Sequence, residues 1–158
     1  MTGESVMSEK PFRGTIVSQV PLDWFAKESL KFLEPSGQAN VIVSSEPLDL
    51  SIDSARYATV QGDLLEKEFP MFRQFSFESR QMFGGRPGYI RIFEWAPPDG
   101  VPVTQVQIYY AERGRGYTAT ATTPSTRFEE FREALFGILT SLDIDTHAAP
   151  PRRRIFRT

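Results

Sequence analysis

Four strand-like segments of similar length, separated by turn sequences, constrain the fold of this chain more than any other feature. They cover residues 72–82, 88–96, 101–112 and 116–122 and are rich in aromatic and β-branched residues, which favour strands. The connecting sequences are GGRPG, PPDG and RGRG, and their glycine, proline and aspartate residues favour tight reversals. Because short reversals join antiparallel neighbours, the pattern predicts a meander of four antiparallel strands.

Further strand signals precede the meander. Residues 13–20 carry β-branched side chains and are followed by Pro21, which predicts a first strand and a turn. Residues 29–33 and 39–44 flank the sequence EPSG, and this arrangement predicts a hairpin.

Two segments have helical periodicity. The first is capped by Ser51 or Asp53 and ends before Pro70, because the residue before a proline is kept out of the helical region. Its predicted apolar side consists of Ile52, Ala55, Val60, Leu64 and Phe69. The second begins at a capping box formed by Thr126 and Glu129. Its predicted sheet-facing stripe consists of Phe128, Phe131, Leu135, Ile138, Leu139 and Leu142. The order of elements predicts an α+β sandwich, with helices laid against a mainly antiparallel sheet.

The charge distribution argues against nucleic acid as a partner. The chain has 18 basic and 20 acidic residues, and four of the basic ones lie within 152–157. Without these four, residues 1–151 retain 14 basic and 20 acidic residues, a net charge of −6, which repels a phosphate backbone. We expect a flexible lead-in over 1–11, one domain over 12–145 and a basic tail over 146–158. The tail is either a solubilising extension or a contact for anionic lipid or RNA.

The sequence also constrains the compartment. It contains no cysteine, which excludes disulfides, thiolate metal sites and a cysteine nucleophile. No apolar run is long enough for a signal peptide or a membrane-spanning helix. We therefore expect a cytoplasmic protein that does not insert stably into a membrane.

Residues suited to catalysis are scarce. The single histidine, His147, lies in the basic tail, where no third group holds an imidazole in place. Glu129, Glu130 and Glu133 are spaced like the solvated face of a helix, and the glycine-rich turns lack the phosphate-loop pattern. We therefore predict that the chain is not an enzyme and binds no metal or other cofactor, while a convergent pair of carboxylates stays open as a competing hypothesis.

The strand sequence VTQVQIYY is the most informative for binding. Side chains alternate along a strand, so Gln105 and Gln107 share a face with Val103 and Tyr109. The other face consists of Val106, Ile108 and Tyr110. The mixed face is either a solvent-facing surface that carries some aromatic residues or a surface that binds a partner.

Three stretches of the sequence resemble the DcrB-like family. They are VPLDWFAKESLKFLEPSGQANVIVSSEPL at 20–48, QMFGGRPGYIRIFEWAPPDGVPVTQVQIYYAERGRGYTATAT at 81–122 and FEEFREALFGILTSL at 128–142. Their order and spacing carry the resemblance, which covers positions 12–143. It implies a PsbP-like α/β/α fold, in which helices flank a twisted, mainly antiparallel sheet.

Members of the family are generally not enzymes. Some are envelope lipoproteins, but this sequence lacks the leader and the lipid-carrying cysteine of that branch. Leaderless members include the Eag chaperones of bacterial type VI secretion, which hold the hydrophobic transmembrane helices of effector proteins in the cytoplasm. The resemblance therefore implies a non-catalytic chaperone or adaptor whose partner is a hydrophobic segment of such an effector.

The resemblance also assigns partner-binding residues. They are Leu30, Phe32, Val41, Val43, Gln61, Gln105 and Gln107. The apolar members would cover an apolar helix, and the amides would satisfy its polar groups. The alternative is that the four apolar residues are ordinary core. A second hypothesis for function is an accessory protein of the same fold that binds a soluble partner unrelated to secretion, and a homodimer is left open.

Overall fold

The computed structural model describes residues 9–14 and 16–145. The chain divides into two compact units, and the larger one begins at Phe25. It contains all the regular elements of the described residues, which are six strands and three helical segments.

The described residues before the larger unit form a turn but no strand. The N–H of Trp24 donates to the carbonyl oxygen of Pro21 at 3.1 Å, which confirms the predicted turn. The strand predicted over 13–20 is wrong, because the described residues of that range belong to no strand and are exposed. Ile16 and Val17 are 95% and 92% exposed, so the burial that stabilises most strands is missing.

The larger unit is built on one antiparallel sheet. Its elements are β1 (Glu28–Leu33), β2 (Asn40–Pro47), α1 (Ser54–Glu68), β3 (Arg73–Met82), β4 (Arg86–Trp95), β5 (Val103–Glu112), β6 (Arg115–Pro124), a 3₁₀ turn (Ser125–Arg127) and α2 (Phe128–Ser141). The strand order is β1-β2-β6-β5-β4-β3, with every neighbouring pair antiparallel. The predicted meander, the predicted hairpin and the α+β fold class are confirmed. No helix among the described residues has both the length and the apolar character needed to cross a bilayer.

Turn chemistry explains how the strands connect. Between β1 and β2, the N–H of Gly37 donates to the carbonyl oxygen of Glu34 at 2.9 Å, and Gly37 has a φ of 79°. Between β5 and β6, Arg113 and Gly114 have φ values of 50° and 77°. Positive φ at both central positions is the geometry of a type I′ turn, whose twist matches that of the flanking strands.

The helix α1 packs on β4 and β5. The carboxylate of Asp53 accepts a hydrogen bond from the N–H of Arg56 at 2.8 Å, which confirms one of the two predicted caps. The predicted apolar side is correct only in part. Ile52 and Phe69 pack against neighbouring residues, whereas Ala55 is exposed and Leu64 is 43% exposed. The buried residues are Tyr57, Ala58 and Leu65. The small residues Ala58 and Gly62 allow the helix backbone to approach the sheet closely, and this approach sets the rotation of the helix.

The helix α2 packs on the opposite face of the sheet, against β6 and β2. Its predicted stripe is confirmed, since Leu135 and Leu139 are buried and the other four members pack against the same core. The predicted capping box is wrong, because no side chain caps the helix at Arg127. The segment instead begins with the 3₁₀ turn, where Ser125 Oγ lies 2.8 Å from Thr104 Oγ1.

Alternation along the strands separates two faces, which we call the α1 face and the α2 face after the helix on each. In β6, Ala119 and Ala121 lie on the α2 face and are 0% and 1% exposed. Thr118, Thr120 and Thr122 lie on the α1 face and are half-buried. The α2 face therefore carries the main apolar core, and the α1 face retains accessible polar groups.

A candidate binding groove on the α1 face

The helix α1 covers only part of its face of the sheet. It lies over β4 and β5, and within the described residues no helix lies over β2 and β1 on this side. Tyr57, Gln61 and Leu64 are spaced by four and three residues, so they share the flank of α1 that points toward β6. The adjacent strands β6, β2 and β1 span about 10 to 14 Å at the usual strand spacing. The result is a groove with α1 as one wall and the sheet as its floor, which we call the α1 groove.

The floor of the α1 groove is rich in hydroxyl and amide groups. A hollow of about 340 Å³ lies in it. Residues lining the hollow include Ser29, Ser44, Gln61, Gln107, Thr118 and Thr120. Strand register places Ser44 opposite Thr118, and Thr120 opposite Gln107, so these groups form a continuous patch across three strands.

Apolar side chains border the same face. Ile42 in β2 pairs with Thr120 in β6 and with Lys31 in β1. Leu33 in β1 pairs with Asn40 in β2. Ile42 is 36% exposed and Leu33 is 66% exposed. Together with Leu64 on the wall, they supply apolar surface around the polar floor.

The wall of the groove is tied to the floor through Tyr57. Its hydroxyl donates to Glu46 Oε1 at 3.2 Å and lies 2.7 Å from Thr118 Oγ1. Because a tyrosine has one proton, Thr118 is the donor in the second contact. Burial raises the pKa of Tyr57 to about 12, so the hydroxyl stays protonated at neutral pH. Lys27 Nζ lies 3.3 Å from Glu46 Oε2, which places one ion pair at this end of the groove.

A buried cation lies beneath α1. Arg91 is 3% exposed, and within the described residues it has no carboxylate partner. Its Nε donates to Gln74 Oε1 at 3.0 Å, its Nη1 to the Tyr109 hydroxyl at 2.6 Å and its Nη2 to the carbonyl oxygen of Ala58 at 3.2 Å. The guanidinium also lies 4.2 Å from the centre of the Phe77 ring. Neutral acceptors and an aromatic face therefore satisfy a charge that is usually paired with an acid.

The glycine of α1 makes room for this cation. A Cβ atom at Gly62 would lie 2.3 Å from Nη2 of Arg91, far inside contact distance. Gly62, which helix propensity alone disfavours, is therefore explained by the docking of α1 onto Arg91.

The two glutamines of β5 have different roles. Gln105 accepts a hydrogen bond from Trp95 Nε1 at 2.9 Å through Oε1 and donates to Thr122 Oγ1 at 2.8 Å through Nε2. Gln107 accepts from the hydroxyl of Tyr109 and lines the hollow. Gln105 thus has its side chain occupied within the protein, whereas Gln107 faces the groove.

The structure separates the seven predicted partner-binding residues. The apolar four lie on the α2 face, where Val41 is fully buried, Phe32 and Val43 pack against the core and Leu30 is 39% exposed. In this conformation the side chain of Val41 is not accessible to a partner. The glutamines belong to the α1 side, and Gln61 and Gln107 meet at the hollow while Gln105 does not.

Sequence reasoning missed the hydroxyl floor of the groove. The signal was present in YTATATT, where threonines alternate with alanines at 118–123. An alternation of small apolar and hydroxyl residues is typical of a strand with one buried and one accessible face.

Metal ligation has no candidate in the described part of the chain, where no three His, Asp or Glu side chains are grouped. His147 and the arginines of the basic tail lie outside the described residues. The predicted absence of catalysis stays a prediction.

Comparisons with known proteins give structural neighbours. No protein-family model and no curated protein sequence matches the chain. The structure is similar to that of the protein of unknown function PA94 from Pseudomonas aeruginosa, with a TM-score of 0.68 and 19% identity over 79% of this chain and 88% of that one. It is also similar to the cyanobacterial PsbP protein CyanoP from Synechocystis sp. PCC 6803, with a TM-score of 0.48 and 10% identity over 79% of this chain and 96% of that one. The likeness to PA94 is one of fold.

Proposed function

We propose that this chain is a non-catalytic binding protein that holds an apolar helical segment of another protein in the α1 groove. In this proposal it acts in the cytoplasm as a chaperone or adaptor for a type VI secretion effector, as the resemblance to the DcrB-like family and its Eag members implies. The observation that carries the proposal is that, within the described residues, no helix lies over β2 and β1 on the α1 face, and a hollow lies beside α1 there.

The dimensions of the groove suit a helix. Three strands span about 10 to 14 Å, and an α-helix with its side chains is about 10 to 12 Å in diameter. A second helix beside α1 would complete the layer on this face, as helices do in sandwiches of this class.

The chemistry of the groove suits a membrane-spanning segment before it reaches a membrane. Such a segment exposes about 20 apolar residues, and covering them removes apolar area from water. Ile42, Leu33 and Leu64 supply apolar contact at the margins. Gln61, Gln107 and the floor threonines supply hydrogen bonds to polar groups of the helix, as neighbouring helices do within a bilayer.

A second candidate is an accessory protein that binds a soluble partner and has no role in secretion. The observation that favours it is the lining of the hollow, where most of the residues are polar or charged. A polar peptide would use these groups without needing a long apolar surface.

Co-expression with matched variants tests the proposal. The client is the N-terminal transmembrane fragment of a protein encoded beside this chain, and the readout is the fraction of that fragment that stays soluble and co-purifies. Ser44→Arg places a long charged side chain on the floor of the groove, so we expect binding to fall by on the order of tenfold, about 1.4 kcal/mol. Ser76→Arg makes the same substitution on the exposed strand β3, and we expect no change.

Two results would contradict the proposal. Equal loss with both variants would indicate a general effect of charge, and failure of the unaltered chain to retain the fragment would remove the apolar helix as the occupant. Retention of a soluble neighbouring protein in its place would favour the second candidate. Gel filtration of the same samples shows whether two copies of the chain associate.

A further inference from the structure

The hydrogen-bond chain that ends at Gln107 has a defined direction. Arginine has donors and no acceptor, so the oxygen of Tyr109 must accept from Nη1 of Arg91. The single proton of the tyrosine is then directed to Gln107. The atom of Gln107 that receives it must be the side-chain oxygen, because the amide nitrogen of glutamine does not accept.

Burial of Tyr109 and Arg91 keeps these hydrogen bonds in this direction. Tyr109 is 0% exposed and Arg91 is 3% exposed. Burial is also the main reason that the pKa of Tyr109 is raised to about 12, so the tyrosine carries its proton at neutral pH. Arg91 is held by two further acceptors, Gln74 and Ala58, so its Nη1 stays in place as the donor to the oxygen of Tyr109.

We infer that the buried Arg91–Tyr109 pair fixes the amide of Gln107 with its NH₂ group toward the hollow, so that the α1 groove presents a hydrogen-bond donor and selects a helix that carries an acceptor oxygen. Among the described residues, the Nε2 atom of Gln107 has no hydrogen-bond partner, whereas that of Gln105 donates to Thr122. Gln107 is therefore the specificity-determining residue, and Tyr109 and Arg91 are positioning residues. This inference rests on the proposed function, because it names the chemistry of the occupant.

The complementary group is an oxygen on an otherwise apolar helix. Backbone carbonyls inside a helix are already bonded, so the acceptor is the side-chain oxygen of a residue such as serine or threonine, or a carbonyl released at a break in the helix. An apolar helix without such an oxygen would leave the Nε2 of Gln107 covered and unsatisfied, which weakens binding.

Two isosteric synthetic helices test the selection. Each is a Leu/Ala helix of about 20 residues with terminal lysines. The two differ at one position, where one helix carries norvaline and the other carries O-methylserine, whose ether oxygen replaces a methylene group of norvaline. The residue is placed in turn at four successive central positions, because one helical turn covers all directions around the axis. At one position we expect the unaltered chain to bind the O-methylserine helix about fivefold more tightly, the equivalent of about 1 kcal/mol.

Variants separate selection from folding. We expect Gln107→Met to bind the two helices equally, and to bind the norvaline helix more tightly than the unaltered chain does, because no covered amide is then left unsatisfied. We expect Tyr109→Phe to reduce the preference without abolishing it. A preference that persists in Gln107→Met, or no preference at any position in the unaltered chain, would overturn the inference and leave the proposed function standing.

The orientation of the amide is also tested without an occupant. A hydrogen bond to the oxygen of Gln107 shifts the NMR resonance of its Cδ carbon downfield, so Tyr109→Phe is expected to move that resonance upfield. Tyr57→Phe, which removes the hydroxyl on the wall of the groove, serves as the control and is expected to leave it in place. An unchanged Cδ resonance in Tyr109→Phe would refute the inference. If neither helix binds the unaltered chain, the proposed function fails, and this measurement still decides the orientation.

Discussion

The two faces of the sheet are made from alternating residues of the same strands, yet they are built on different principles. On the α2 face, Ala119 and Ala121 leave room for Leu135 and Leu139, and all four are at most 3% exposed. On the α1 face, α1 docks through a buried guanidinium and through tyrosine hydroxyls. The first face is mainly apolar, although Thr104 and Thr123 are buried on it, while the second is organised around polar groups.

This difference separates stability from recognition. Close packing of apolar side chains contributes most of the favourable free energy of folding. A polar network in the interior contributes less net stability, because its groups were already hydrated in the unfolded chain. Such a network does hold its members in one geometry, and that property is useful beside a binding groove.

The largest expected effect lies on the α2 face. Leu139→Ala removes a fully buried side chain from α2 and should reduce the free energy of unfolding by about 2 to 5 kcal/mol. The measurement is urea denaturation followed by circular dichroism. Leu64→Ala on α1 is the control, since Leu64 is 43% exposed, and its cost should stay below about 1 kcal/mol. Similar losses of unfolding free energy in Leu139→Ala and Leu64→Ala would contradict the difference between the two faces.

A smaller effect is expected from alkaline pH on the α1 face. The pKa of Tyr109 and that of Tyr57 are both raised to about 12, chiefly by burial, whereas tyrosine in an unfolded chain has a pKa of about 10. The protonated form is favoured by folding, so this stability is fully present below about pH 10 and is lost as the pH rises toward 12. Tyr109 should account for about 2 to 3 kcal/mol of that loss.

The slope of stability against pH measures this effect. Denaturation between about pH 9 and 12 should show a steep decline in the unaltered chain and a shallower one in Tyr109→Phe, with tyrosinate absorbance as the second readout. Equal slopes in the two proteins would indicate that the hydroxyl of Tyr109 is not sequestered beneath α1.

The smallest effects come from two helical glycines that sharpen the comparison between the helices. Gly137 in α2 has open space where a Cβ would lie, so Gly137→Ala should stabilise the protein by about 0.5 to 1 kcal/mol through helix propensity. Gly62 in α1 faces Arg91, so Gly62→Ala should destabilise it by about 1 to 3 kcal/mol despite the same gain in propensity. Thermal unfolding of the pair provides the measurement, and a stabilising Gly62→Ala would show that Arg91 is not held against the helix.

Local patterns predicted most of the elements but not how they are used. Alternation and turn residues predicted the hairpin of β1 and β2 and the meander of β3 to β6, because a strand period and a tight turn are properties of a few neighbouring residues. The predicted strand over 13–20 failed, since a β-favouring composition does not supply a partner strand. The apolar side of α1 was predicted only in part, because the helix is rotated so that Tyr57, Ala58 and Leu65 are buried in place of Ala55 and Leu64.

The candidate site was predictable only in part. Gln61 and Gln107 were named from sequence, and the structure brings them to one hollow. Leu30, Phe32, Val41 and Val43 were grouped with them, but they lie on the other face of the sheet. A single sequence gives the alternation of two faces without saying which face a helix will cover.

From its own residues, this sequence determined an antiparallel α+β chain with an amphipathic C-terminal helix, because periodicity and turn chemistry are local. Tertiary structure decided that α1 lies over β4 and β5 and not over β2 and β1, and that Arg91 directs the proton of Tyr109 toward Gln107. These features depend on contacts between residues far apart in the chain, such as Arg91 with Ala58 and Tyr109, and no local pattern encodes the distances between them.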